Sequence, residues 1–73
     1  MKIGELATAT ATKVETVRYY EKIGLLRAPA RSAANYRDYA SEHLARLSFI
    51  RRARDLGFTL EAVRELLALS DDA

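Results

Sequence analysis

The chain has 73 residues, 12 Lys plus Arg against 10 Asp plus Glu, a formal net charge of +2, and no cysteine. That length leaves room for one small domain with a marginal core, and the absence of cysteine excludes disulfides and thiolate metal sites. No apolar stretch approaches the roughly 20 residues of a membrane-spanning helix. The opening Met1-Lys2-Ile3-Gly4-Glu5 lacks the apolar region of a secretory signal, so a soluble, cytoplasmic module spanning residues 1–73, with no membrane partner, is expected.

The charge is uneven along the chain. Residues 1–37 hold seven basic and three acidic side chains, a net of +4, whereas residues 38–73 hold five basic and seven acidic, a net of −2. Nine of the 12 basic residues are arginines, whose planar guanidinium suits bidentate contact with phosphates and guanine edges. A basic first half under a small net charge points to one polyanion-facing surface. An ordinary solvated surface accounts for the charge alone equally well.

In chain order, Ile3, Leu6 and Ala7 share one face of a short helix over about 3–9. Thr8-Ala9-Thr10-Ala11-Thr12 is too β-branched and polar to extend it. Thr12-Lys13-Val14-Glu15 fits a capping box, in which a hydroxyl and a carboxylate satisfy orphan amides reciprocally. A second helix is therefore predicted from about Lys13, ended by Gly24 as a left-handed terminator before Leu25 and Leu26. Two short helices joined by about three residues read as a helix-turn-helix.

Pro29 and Ser32-Ala33-Ala34-Asn35 carry no helical stripe. Asn35 tolerates positive φ at a hairpin tip, and Tyr36-Arg37-Asp38-Tyr39 reads as a short strand with one packed face, giving a two-stranded wing over about 27–39. Ser41 is the predicted N-cap of a third helix, with Leu44, Leu47 and Ile50 on one face, Leu56 near its end and Gly57 closing it. Thr59 caps a fourth helix carrying Leu60, Val63, Leu66 and Leu67. The predicted fold class is mainly α: a winged helix-turn-helix with four short helices and a small two-stranded hairpin wing.

The second helix separates into two faces at 100° per residue. Val14 and Val17 point inward with Tyr20 at the edge of that sector, while Glu15, Arg18, Tyr19 and Lys22 fall within about 100° of each other on the opposite side. Arg18 suits guanine or phosphate, Tyr19 a thymine methyl or phosphate, and Lys13 sits near the positive helix N-terminus. Glu15 suits cytosine or belongs to the cap. Such a face is an ordinary solvated surface in most helices, but the second helix of a helix-turn-helix is the one that enters the major groove.

The wing gathers Arg31, Asn35, Tyr36 and Arg37, donors of the kind that fix position on a sugar–phosphate backbone. The competing reading makes Tyr36 and Tyr39 core aromatics, more so Tyr39, with the arginines merely exposed. Arg51, Arg52 and Arg54 form a third basic run on helix three. Neighbours diverge around a helix, so one or two of them share a face, and Arg54 is the choice. His43 stands alone, reads as structural or phosphate-facing, and has no partner set for a metal. No serine has a base partner and the three glycines are isolated, so neither an enzyme nor a phosphate loop is expected.

Lys2-Ile3-Gly4-Glu5-Leu6-Ala7, Val17-Arg18-Tyr19-Tyr20-Glu21, Gly24-Leu25-Leu26, Arg31-Ser32, Asn35-Tyr36-Arg37 and Leu56-Gly57-Phe58-Thr59-Leu60 together resemble the N-terminal DNA-binding domain of the MerR family of transcriptional regulators. The resemblance covers essentially the whole chain and leans towards the metal-responsive branch. It implies a dimeric parent that binds promoter DNA with an overlong spacer and, on effector binding, distorts that spacer so that RNA polymerase engages both promoter elements.

The same resemblance places DNA contacts on Arg18, Tyr19 and Tyr20, on Arg31, Asn35, Tyr36 and Arg37, and on Arg54. Only Tyr20 departs from the residue-by-residue reading. Asn35 stands where the family's wing commonly has glycine. The family's dimerisation helix and effector region have no counterpart here, so no cofactor is expected in this chain, while a full-length parent takes a metal ion or small-molecule effector. The chain is expected to be largely monomeric, weak on DNA because it reads one half-site, and partly exposed at Leu66, Leu67 and Leu69. An excisionase-like architectural DNA binder, and a helical protein-interaction module using Leu66–Leu69, are the alternatives.

Overall fold

The structure, a computed structural model, describes residues 1–71. Its elements in order are α1 (Ile3–Ala9), α2 (Val14–Lys22), β1 (Ala30–Arg31), β2 (Arg37–Asp38), α3 (Ser41–Asp55) and α4 (Leu60–Asp71). This is the expected four-helix, single-hairpin architecture. One core joins all four helices through Leu6, Val17, Leu25, Leu26, Tyr39, Leu47, Ile50 and Val63, each essentially without solvent contact. Burying each such apolar side chain contributes about 1.5–3 kcal/mol before entropy is counted.

The turn of the helix-turn-helix is built from threonines. Thr10 Oγ1 donates to the Leu6 carbonyl at 2.9 Å, and Ala11 follows at φ +50°. Thr12 Oγ1 then turns back to the Thr10 carbonyl at 3.0 Å. That bond consumes the hydroxyl the sequence assigns to a capping box, so Lys13, not Thr12, is the N-cap of α2 and its side chain makes no capping bond. The reciprocal carboxylate device instead opens α1, where Glu5 Oε1 accepts from the Lys2 amide at 2.9 Å.

Both glycine stops behave as expected. Gly24 (φ +77°) and Gly57 (φ +95°) each follow a helix end. At α2 the Leu25 amide reaches the Tyr20 carbonyl and the Gly24 amide the Glu21 carbonyl; at α3 Phe58 reaches Ala53 and Gly57 reaches Arg54. This paired pattern is the Schellman motif, and it satisfies carbonyls a helix end leaves orphaned. Thr59 caps α4, its Oγ1 accepting from the Ala62 amide at 3.1 Å.

Two expectations, at the start of α3 and on α4, need correction. Ala40, not Ser41, is the N-cap of α3, and the His43 ring supplies the missing acceptor, its Nδ1 taking the Ala40 amide proton at 3.0 Å. His43 is thereby a buried structural residue, edge-on to Tyr39 with centroids 5.4 Å apart. Leu56 lies at the end of α3 as expected, 79% exposed at the C-cap. Leu67 is buried, so of the three α4 leucines expected at the surface only Leu66 and Leu69 are exposed. Tyr36 and Tyr39 are three residues apart in extended chain, which puts them on opposite sides; Tyr39, at 1% exposed, is the core aromatic, and Tyr36, at 68% exposed, is not.

Candidate nucleic-acid interface

The outer face of α2 is presented as the wheel predicts. Lys13, Glu15, Arg18, Tyr19 and Lys22 are all exposed, and none of their side chains makes a hydrogen bond or ion pair among the described residues. Val17 and the half-buried Val14 anchor the opposite side in the core. Tyr20 is half-buried against that core, its ring 6.2 Å from that of Tyr19, so the geometry follows the residue-by-residue placement at the core edge.

The far end of α2 is held from outside. Arg64 NH2 donates to the Ile23 carbonyl at 2.7 Å and Arg46 Nε to the Leu25 carbonyl at 2.9 Å. Arg46 is itself braced by two bonds to the Asp71 carboxylate, at 2.9 and 3.2 Å. These bonds hold the Asp71 carboxyl below the usual carboxylate range. At the near end, Arg51 reaches the Ala11 carbonyl with NH1 and pairs with Asp55 through Nε at 3.0 Å. Arg51 is thus committed to the turn.

The wing is two residue pairs long, antiparallel, with Ala30 opposite Asp38 and Arg31 opposite Arg37. A turn over Ser32–Asn35 closes it: the Asn35 amide donates to the Ser32 carbonyl at 2.8 Å, Asn35 sits at φ +66°, and Ser32 Oγ accepts from the Tyr36 amide at 3.2 Å. Arg31 NH1 donates to the Asn35 carbonyl at 3.2 Å, so that side chain lies along the hairpin tip. Tyr36 projects into solvent with no partner among the described residues.

Arg37 behaves differently from the other predicted contacts. Its NH1 pairs with Glu21 Oε2 at 2.7 Å, and the second carboxylate oxygen accepts from the Tyr39 hydroxyl, also at 2.7 Å. Burial pushes the Tyr39 hydroxyl above its ordinary pKa, and the bond to Glu21 adds to the rise. Arg18, Lys22, Glu21 and Arg37 share one shallow cleft of about 480 Å³ between α2 and the wing. The sequence reading overlooked Glu21, although the wheel marks it: at 100° per residue it falls between Val14 and Val17, a carboxylate on the apolar side.

Of the third basic run, Arg54 is exposed and donates through NH1 to the Phe58 carbonyl at 2.6 Å, while Arg52 is exposed without a partner among the described residues. On the far side of α3 and α4 an open groove of about 990 Å³ is lined by Leu26, Ala45, Phe49, Leu66 and Leu69, with Arg46 and Asp71 also bordering it. Among the described residues no three His, Asp or Glu side chains cluster to hold a metal ion. No described helix is long and apolar enough to cross a membrane.

The sequence profile of the MerR HTH family of regulatory proteins matches residues 1–70. The chain belongs to the MerR family. It is 47% identical over 72 residues to the HTH-type transcriptional regulator HmrR of Sinorhizobium medicae, covering 99% of this chain and 49% of that protein. A ZntR homolog from Haemophilus influenzae is 49% identical over 71 residues, covering 97% and 53%. Among solved structures, the transcription regulator PbrR691 from Ralstonia metallidurans in complex with lead(II) superposes with a TM-score of 0.88 at 51% identity, covering 99% of this chain and 56% of that one. This MerR-family chain thus spans about half the length of the curated relatives it matches, and its helix-turn-helix and wing are those of a DNA-binding domain of transcriptional regulators.

Proposed function

We propose that this domain reads one half-site of promoter DNA, with α2 in the major groove and the wing along the adjacent backbone. The observation that carries the reading is the exposed face of Lys13, Glu15, Arg18, Tyr19 and Lys22, which has no partner among the described residues although it holds three cations and an aromatic. Arg31, Asn35 and Tyr36 add backbone contacts from the wing, and Arg54 one from α3. In a longer, cytoplasmic parent two such domains act as a homodimer on a promoter with an overlong spacer. An effector then shifts the dimer between states that distort the spacer differently, and RNA polymerase engages the reshaped promoter. A metal ion is the proposed effector, supported by the lead(II)-bound relative; the donor set described here does not fit a metal, so the ion belongs to other parts of such a parent.

The test is a salt titration with a fluorescein-labelled duplex of about 20 bp, since each lost phosphate contact lowers the slope of log K against log salt by about 0.9. Arg18→Ala and Arg31→Ala are each expected to flatten the slope by about that amount and to weaken binding. Unchanged slopes in both variants would refute the assignment.

A further inference from the structure

We propose that Glu21, Arg37 and Tyr39 form a latch that fixes the wing against the recognition helix, making Arg37 a positioning residue through its bond to Glu21. The inference deepens the DNA-binding reading above and rests on it. The Glu21 side chain is 8% exposed although it belongs to the helix that faces solvent on its other side. A carboxylate so enclosed must have its charge compensated, and both of its oxygens are taken, one by Arg37 and one by Tyr39, each at 2.7 Å. Bonds this short to an ionised group are the strong, directional ones.

The wing is tied to the body at two places: at Met1, whose ammonium reaches the Asp38 carboxylate at 3.0 Å and the Tyr39 carbonyl at 2.7 Å, and at Glu21. All four strand residues are exposed, so the hairpin has no core of its own, and among the described residues the two Glu21 bonds are the only hydrogen bonds between α2 and the wing. The register also places Arg31 directly opposite Arg37. Like charges facing each other across a strand pair repel; Glu21 neutralises one of them and leaves Arg31 as the free cation. Arg37 and Tyr39, two residues apart, lie on the same side of the extended chain, which is the spacing needed to grip both oxygens of one carboxylate.

The experiment uses the full 73-residue chain in two arms. In the DNA-free arm, ¹⁵N amide spectra and heteronuclear NOEs are recorded for the parent chain, Glu21→Gln, Arg37→Gln and Tyr39→Phe, with circular dichroism confirming that each folds. Both charge-removing variants are expected to perturb the same amides over residues 31–38 and lower their NOEs, with Tyr39→Phe, which removes one hydroxyl and keeps every charge, giving a weaker version of the same pattern. In the DNA arm, a mixed-sequence duplex of about 20 bp is titrated at several salt concentrations. Glu21→Gln should weaken binding several-fold although it removes a negative charge, whereas Arg31→Gln weakens it and lowers the salt slope by about 0.9. The double variant Glu21→Gln/Arg37→Gln should bind no more weakly than the worse single one, because residues acting as one unit are not additive.

The latch is overturned if the wing amides stay unmoved in Glu21→Gln and Arg37→Gln, or if Glu21→Gln tightens binding by freeing the arginine. A parent chain that fails to bind the duplex at all would sink the DNA reading, while the DNA-free arm would still decide the latch.

Discussion

The recognition helix and the wing are held by opposite means. α2 is fixed by apolar burial: Val17 lies in the core, with Leu6 of α1 and Leu25 and Leu26 behind it, and its far end is gripped by Arg46 and Arg64. The wing has two residue pairs, both exposed, and is docked by ion pairs and the buried Tyr39 ring. Apolar burial is little affected by salt, whereas exposed ion pairs are screened by it. Two elements of one small domain therefore differ in what anchors them.

Substitutions that separate the two means test this contrast. The largest effect is expected for Leu47→Ala, which opens a cavity in the core and should cost about 2–5 kcal/mol in chemical denaturation; Tyr36→Ala in the wing should stay within about 0.5 kcal/mol. Equal losses would show that the wing is part of the cooperative core. Next come the two positive-φ residues. Ala11 sits at φ +50° in the helix-turn-helix turn and Asn35 at φ +66° at the wing tip. Alanine bears a steric cost there that asparagine largely escapes, so Ala11→Gly should gain about 0.5 kcal/mol, roughly 2–4 °C in Tm for a domain this size. Asn35→Gly should leave Tm unmoved.

The smallest effect concerns pH. Arg46 holds the Asp71 carboxyl below its ordinary value. A depressed carboxyl stabilises the fold fully above its unfolded value, about 3.9, and the contribution disappears as pH falls through the lowered folded value. Asp71→Asn should accordingly be slightly less stable than the parent at neutral pH and match it in strong acid, with Tm against pH as the measurement. A difference that persists below about pH 2 would assign the effect to something other than this ion pair.

The helix stops were legible in the sequence because Gly24 and Gly57 are cheap where an L residue is not, and no tertiary contact competes with that preference. The α2 wheel held because Val14 and Val17 define its inner side unambiguously. The capping residues were misread for a shared reason. Whether Thr12 caps a helix depends on where its hydroxyl points after the Ala11 turn, and whether Ser41 or Ala40 is the N-cap depends on His43 reaching back, and neither is a property of spacing. Leu67 was expected near the surface but is buried, because it falls four residues after Val63 on the same side of α4. Glu21 was the visible clue left unread: an acid on an apolar sector demands a cation from elsewhere, and Arg37 is that cation.

The two guanidinium groups at the end of α2 have an effect beyond holding it. A helix carries roughly half a unit of positive charge at its start and half a unit of negative charge at its end, and at long range these nearly cancel. Arg64 on the Ile23 carbonyl and Arg46 on the Leu25 carbonyl screen the negative pole and leave the positive one open beside Lys13. To a distant polyanion the reading helix then acts less as a dipole and more as a single positive pole, whose attraction decays more slowly with distance. Two arginines beyond the end of α2 thus shape the field of the helix proposed to meet the duplex.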